Sequence, residues 1–154
     1  MYKVGDYVVY KKDVCKIKNV NSENYILTPI DDETLTITLP ISNKLLRDLI
    51  DKDSCIELIR SIPNIEVIKV SDKLIENEYK KLLNSGNLED LVKIIKTTYL
   101  RNKNRLSSHK KIGEKDDNYF KKAEKLLYNE LSISLGLTFD ETKDYVINTV
   151  ESMM

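Results

Sequence analysis

The feature that most constrains this chain is a change of hydrophobic period near residue 51. Before it, apolar and β-branched residues alternate in short runs; after it, they recur every three or four positions. Tyr7–Tyr10, Val14–Val20, Tyr25–Thr28 and Thr34–Leu39 read as four strands, and Leu45–Ile50 adds a fifth. Asn21–Asn24 and Ile30–Glu33 supply polar turns between them, and Pro40 stops the fourth strand. Short consecutive antiparallel strands in so few residues bury a core by curling, because a flat meander leaves both edges unpaired. The expected class is therefore α+β: a small SH3/Tudor-like β-barrel followed by an all-α helical bundle.

Ser54–Ile62 reads as a short helix ended by Pro63, since a proline pushes the residue before it out of the α region. The expected organisation is a β-rich domain over 1–62, an extended connector over 63–70 and a helical domain over 71–154. The first helix of that domain starts at Ser71-Asp72, with capping side chains, and carries Ile75, Tyr79, Leu82 and Leu83 on one face. It ends at Ser85-Gly86. The next has Asn87 as its N-cap and buries Leu88, Leu91, Val92, Ile95 and Tyr99. After a polar stretch, Asn104–Glu114, a third places Tyr119, Phe120, Ala123, Leu127 and Leu131 inward and ends at Gly136. Thr138-Phe139-Asp140-Glu141 is a capping box that opens a last helix with Thr142, Tyr145, Val146, Thr149, Val150 and Met153 on its inner face.

Charge narrows the function classes. The chain holds 25 basic and 25 acidic residues, so no global field draws it to nucleic acid. Locally the balance fails: no acid lies between Asp90 and Glu114, whereas Lys93, Lys96, Arg101, Lys103, Arg105, Lys110 and Lys111 do. That strip suits phosphate contacts and suits an ordinary solvated helix face equally well. Similarly, Ile37 between Thr36 and Thr38 fits either an edge open to a partner strand or a fully paired strand.

Catalysis finds little to work with. His109 is the one histidine, in a basic segment with no carboxylate beside it to orient it, and no phosphate-cradling glycine loop or nucleophile elbow occurs. Asp31-Asp32-Glu33 and Asp116-Asp117 lack the spacing of a cation loop and read as a turn and a helix start. Cys15 and Cys55, forty positions apart, form no metal or redox motif and read as half-buried reduced thiols. No apolar run is long enough for a leader or a membrane span, so a cytoplasmic protein is expected, with no cofactor, no metal, no membrane and no small-molecule substrate.

In this order the elements resemble the CarD/CdnL family, whose N-terminal module is shared with the RNA-polymerase-interacting domain of the transcription-repair coupling factor. The stretches that carry the resemblance are Lys3–Tyr10, Leu35–Pro40, Leu46–Ile50, Lys81–Asp90 and Ala123–Leu131. The resemblance implies a Tudor-like domain that docks on the β subunit of bacterial RNA polymerase through Thr36, Ile37 and Thr38. It also implies a helical domain that touches promoter DNA and modulates open-complex stability, with Lys73, Lys80, Lys110, Lys111 and Lys115 as phosphate contacts. The chain departs from the family at Lys11–Cys15, where a proline, a histidine and glycines are replaced, and at Thr38, where some members carry arginine. The family's wedge tryptophan would fall near Val70–Asp72, and this chain has no tryptophan. The alternative is an adaptor that binds polymerase or another protein without engaging DNA.

Overall fold

The computed structural model describes residues 1–152. The alternating stretches form five antiparallel strands, β1 (Tyr7–Tyr10), β2 (Asp13–Val20), β3 (Asn24–Pro29), β4 (Ile37–Pro40) and β5 (Leu46–Asp48), in the order β4-β3-β2-β1-β5. A two-residue turn joins β1 to β2 with Lys11 at φ 58. The β2–β3 turn is held by the Asn21 side-chain oxygen, which accepts from the backbone N–H groups of Glu23 and Asn24 at 2.9 and 2.7 Å. Alternation puts Val8, Cys15, Ile17, Tyr25, Leu27 and Leu39 in one buried row. Tyr2 packs against this row, donates its hydroxyl to Asp48 on β5 and meets the Tyr25 ring edge-on at 5.8 Å.

The sheet is a curled half-barrel. Among the described residues β4 and β5 pair with one neighbour each and not with each other, so the expected closure does not occur. The fourth strand is also shorter than expected. The Asp32 carboxylate accepts from both the N–H and the hydroxyl of Thr34, at 3.2 and 2.5 Å, and Leu35 N–H turns back to the Asp32 carbonyl. This side-chain turn outcompetes the ladder and leaves Thr36 outside β4.

The chain forms two compact units, Met1–Leu49 and the residues from Ile50 onward. The second begins with α1 (Lys52–Ser61), capped by Asp51, whose carboxylate accepts from Ser54 N–H at 2.8 Å. Sequence places this helix in the N-terminal domain, yet its Cys55 and Ile59 lie in the helical core. Pro63 does not expel Ile62 from the α region (φ −51, ψ −45); it sits inside a 3-10 turn, Ile62–Asn64, whose early positions do not need its missing N–H. Nor is 63–70 a free connector: Ile65 is buried, and Ile68 N–H donates to the Thr97 hydroxyl at 2.9 Å.

The remaining helices are α2 (Asp72–Leu83), α3 (Leu88–Ser107), α4 (Glu114–Leu135) and α5 (Phe139–Ser152). Asn87 caps α3 through Glu89 N–H at 2.8 Å. The capping box closes as its residues demand: Thr138 N–H donates to Glu141 at 3.0 Å, and Glu141 N–H donates to the Thr138 hydroxyl at 3.1 Å. Ser71 occupies the N-cap of α2 but makes no side-chain cap. Inward faces hold Ile75, Tyr79, Leu91, Val92, Ile94, Ala123, Leu127, Leu131 and Val146, while Phe120 and Val150 are half-buried and Tyr99 and Tyr145 are exposed. Met153 lies outside the described residues.

α3 runs into the stretch expected to be polar loop, and His109 explains where it stops. His109 has φ 59, its N–H donates to the Leu106 carbonyl, and Lys110 N–H donates to the Arg105 carbonyl at 2.8 Å. This is the paired closure that normally uses a left-handed glycine. His109→Gly is expected to raise unfolding stability by about 0.5–1 kcal/mol, measured by urea denaturation, because a side chain at this backbone angle is strained.

Candidate docking edge and nucleic-acid interface

Backbone phase decides what β4 offers. Ile41 N–H donates to the Glu23 carbonyl at 2.9 Å, and the register pairs Tyr25 with Leu39, Ile26 with Thr38 and Leu27 with Ile37. Hydrogen-bonded and non-bonded pairs alternate in an antiparallel ladder, so Leu39 and Ile37 bond to β3 and Thr38 turns its N–H and C=O away. The Pro40 carbonyl accepts from Asn43, by its backbone N–H at 3.0 Å and its side-chain amide, which closes that end of the edge. Side chains alternate too: Ile37 is half-buried against the inner row, while Thr36 and Thr38 are exposed. The three expected docking residues therefore form one short edge, with Thr36 entering it from the turn.

The basic strip is divided by the fold. Lys96 is drawn inward, its ammonium donating to the carbonyls of Ile62 and Ile65, the first at 2.7 Å, and burial pushes its pKa down. Arg101 and Arg105 converge on Asp116, which is only 2% exposed: Arg101 Nε lies 2.8 Å and Arg105 Nη1 2.6 Å from Asp116 Oδ2. Tyr79 donates its hydroxyl to Asp116 Oδ1 at 2.8 Å, and Arg101 also reaches Asp72 at 2.8 Å. Burial alone would raise the Asp116 carboxyl, but the hydrogen bonds from Arg101, Arg105 and Tyr79 outweigh it and hold the pKa below its ordinary value. Burial, together with the same carboxylate, pushes the Tyr79 hydroxyl well up.

Gly113, the N-cap of α4, completes this arrangement. Its N–H donates to the Asn102 side chain at 2.8 Å, and a Cβ built there would fall 2.5 Å from Arg105 Nη1. Because Asp116 and Asn102 both hold that guanidinium, it cannot swing aside without losing them.

Read as a helix-start decoration, Asp116 is instead the centre of a buried ion-pair cluster. The signal was present: Arg101 and Arg105 are four apart and so share a helix face. No family model matches this sequence, and no curated protein does.

The remaining expected contacts are exposed but unequal. Lys73 and Lys80 lie on one side of α2, two turns or about 10 Å apart. Lys110 and Lys111 occupy the α3–α4 loop, and Lys115 on the first turn of α4 is 3.7 Å from Glu76. The links from Arg101 to Asp72 and from Lys115 to Glu76 bring Lys73, Lys110, Lys111 and Lys115 to one end of the helices. Lys80 stands apart.

Cys15 and Cys55 are fully buried rather than half-buried, and burial, helped by Asp13 and Glu130 respectively, pushes both thiols up to about 11. Asp116 carries a testable pH dependence. Its native carboxyl holds a proton less readily than in the unfolded chain, so its stabilisation is present above pH 4 or so and is lost as pH falls below it. Asp116→Asn is expected to cost about 2–3 kcal/mol at neutral pH, at the lower end for a buried pair because both guanidiniums are partly exposed, and to flatten the acid limb. Urea denaturation across the acid range checks both.

Proposed function

We propose that this chain is a transcription regulator of the CarD/CdnL kind, without enzymatic activity, whose Tudor-like half-barrel docks on the β subunit of bacterial RNA polymerase while its helical unit contacts promoter DNA. The observation that carries this reading is the β4 edge, where Thr38 turns its main-chain donor and acceptor outward and the side chains of Thr36 and Thr38 are exposed. Such an edge accepts a partner strand through backbone hydrogen bonds, with flanking side chains setting register. The order of elements, a curled five-stranded sheet and then helices, supports the same reading.

For the DNA half, support comes from Lys73, Lys110 and Lys111, which form no ion pair among the described residues and lie toward one end of the helices. Such contacts give weak, salt-dependent, sequence-independent affinity. A second reading, a polymerase-binding adaptor that does not engage DNA, is favoured by one fact: Lys96, Arg101 and Arg105 are spent inside the fold. Charge reversal at Lys110 and Lys111 separates the two, because only the first reading makes promoter opening sensitive to it.

Calorimetric titration of the full chain against the N-terminal β-lobe fragment of polymerase tests the docking half. The expected result is saturable one-to-one binding that Thr38→Pro weakens by about tenfold or more. Proline there removes an N–H that β3 does not use, and edge strands tolerate proline on their outward side, so the unfolding midpoint should hardly move. No binding by the parent chain, or full binding by Thr38→Pro, would sink the edge-docking assignment.

A further inference from the structure

The outward face of α3 carries a combination that neither the ion-pair cluster nor the core explains. Tyr99 is 60% exposed and Leu106 is 59% exposed, and Lys103 stands between them, also exposed. Spacings of four and three put all three on one side of the helix, over about 10 Å. The loop that follows the helix adds exposed Lys110 and Lys111 and exposed Ile112. Lys103, Lys110 and Lys111 form no ion pair among the described residues, and the nearest acids along the chain are Asp90 and Glu114.

We propose that this face binds single-stranded nucleic acid, with the Tyr99 ring as a stacking platform for a base and Lys103, Lys110 and Lys111 as its phosphate partners. An aromatic ring flanked by unpaired cations is the common chemistry of single-strand recognition, since every base offers a flat face and the backbone offers a charge at each step. A ring on a helix surface can stack only on a base already out of its stack, which excludes a closed duplex as the preferred form. An acidic peptide fits less well. The exposed apolar side chains of this face on α3, Tyr99 and Leu106, are separated by Lys103 and form no continuous apolar stripe. Nor does α3 suit a lipid surface: its most apolar side, with Leu91, Val92 and Ile94, is inside the helical core.

This deepens the nucleic-acid half of the function proposed above and is independent of the polymerase half. The test uses the full chain and a short labelled oligothymidine, followed by fluorescence anisotropy at low salt and at rising salt, with a duplex of equal length and an acidic peptide as competitors. The expected result is that Tyr99→Ala weakens oligothymidine binding by about tenfold, that Tyr99→Phe binds like the parent, and that Lys103→Gln lowers the salt slope by about one. Tyr99 is exposed, so these variants keep the parent unfolding midpoint. Failure to bind oligothymidine at low salt, equal binding by Tyr99→Ala, or stronger competition by the acidic peptide would each overturn the proposal. Preference for the duplex would also overturn it while leaving promoter contact standing, so the two readings fail separately.

Discussion

The helical unit turns on one buried carboxylate. Asp116 lies on the first turn of α4 and takes hydrogen bonds from α2 through Tyr79 and from α3 through Arg101 and Arg105, so three helices meet at a single charge. A carboxylate removed from water is costly unless its lone pairs are satisfied, and here two guanidiniums and a phenol do so. The cluster also fixes the loop that follows α3. Asn102 and Arg105 both reach toward Gly113, and no side chain at 113 would leave the Arg105 guanidinium in place. Lys110 and Lys111 are thus displayed by a loop whose far end is tied down.

This division of labour among cations limits what charge counting can show. Seven basic residues in an acid-free window suggest one uniform strip, but three of them serve the interior: Lys96 satisfies the Ile62 and Ile65 carbonyls after α1, and Arg101 and Arg105 neutralise Asp116. Arginine suits the second task because its planar fork meets a carboxylate at several points, whereas lysine is a solvated point charge. The cations left on the surface are lysines, as that difference leads one to expect. Any anion they meet is held by charge more than by geometry.

Features set by neighbours in sequence were legible before the structure. The period change separates strands from helices, Asn87 and the Thr138–Glu141 box start their helices as short-range hydrogen bonding requires, and Gly136 at φ 69 ends α4. Features set by partners far along the chain were not. Whether the half-barrel closes depends on an encounter between β4 and β5, which no local pattern encodes. Asp32 captures Thr34 and shortens β4, a competition that depends on small energy differences between a turn and a ladder. Asp116 looked like a helix-start acid because its partners lie 37, 15 and 11 residues away. Thr36, Ile37 and Thr38 are neighbours in sequence, but the phase that makes Thr38 the outward residue exists only in the paired strands.

A chain of zero net charge can still present a cationic face, and screening explains why. At physiological ionic strength a charge is felt over about 8 Å, so acids farther away than that do not cancel Lys103, Lys110 and Lys111. A ligand that touches only these lysines meets a local field set by them. Because few contacts are available, such binding is weak on its own and weakens further as salt rises. On the proposed reading the β4 edge makes up the difference: a chain already held on a large partner meets nearby nucleic acid at high effective concentration, and a weak contact is then enough. The two surfaces are suited to this arrangement because they use different physics. Main-chain hydrogen bonding at Thr38 is little affected by salt, while the lysine face responds to it, so on the proposed reading rising ionic strength weakens the second contact before the first.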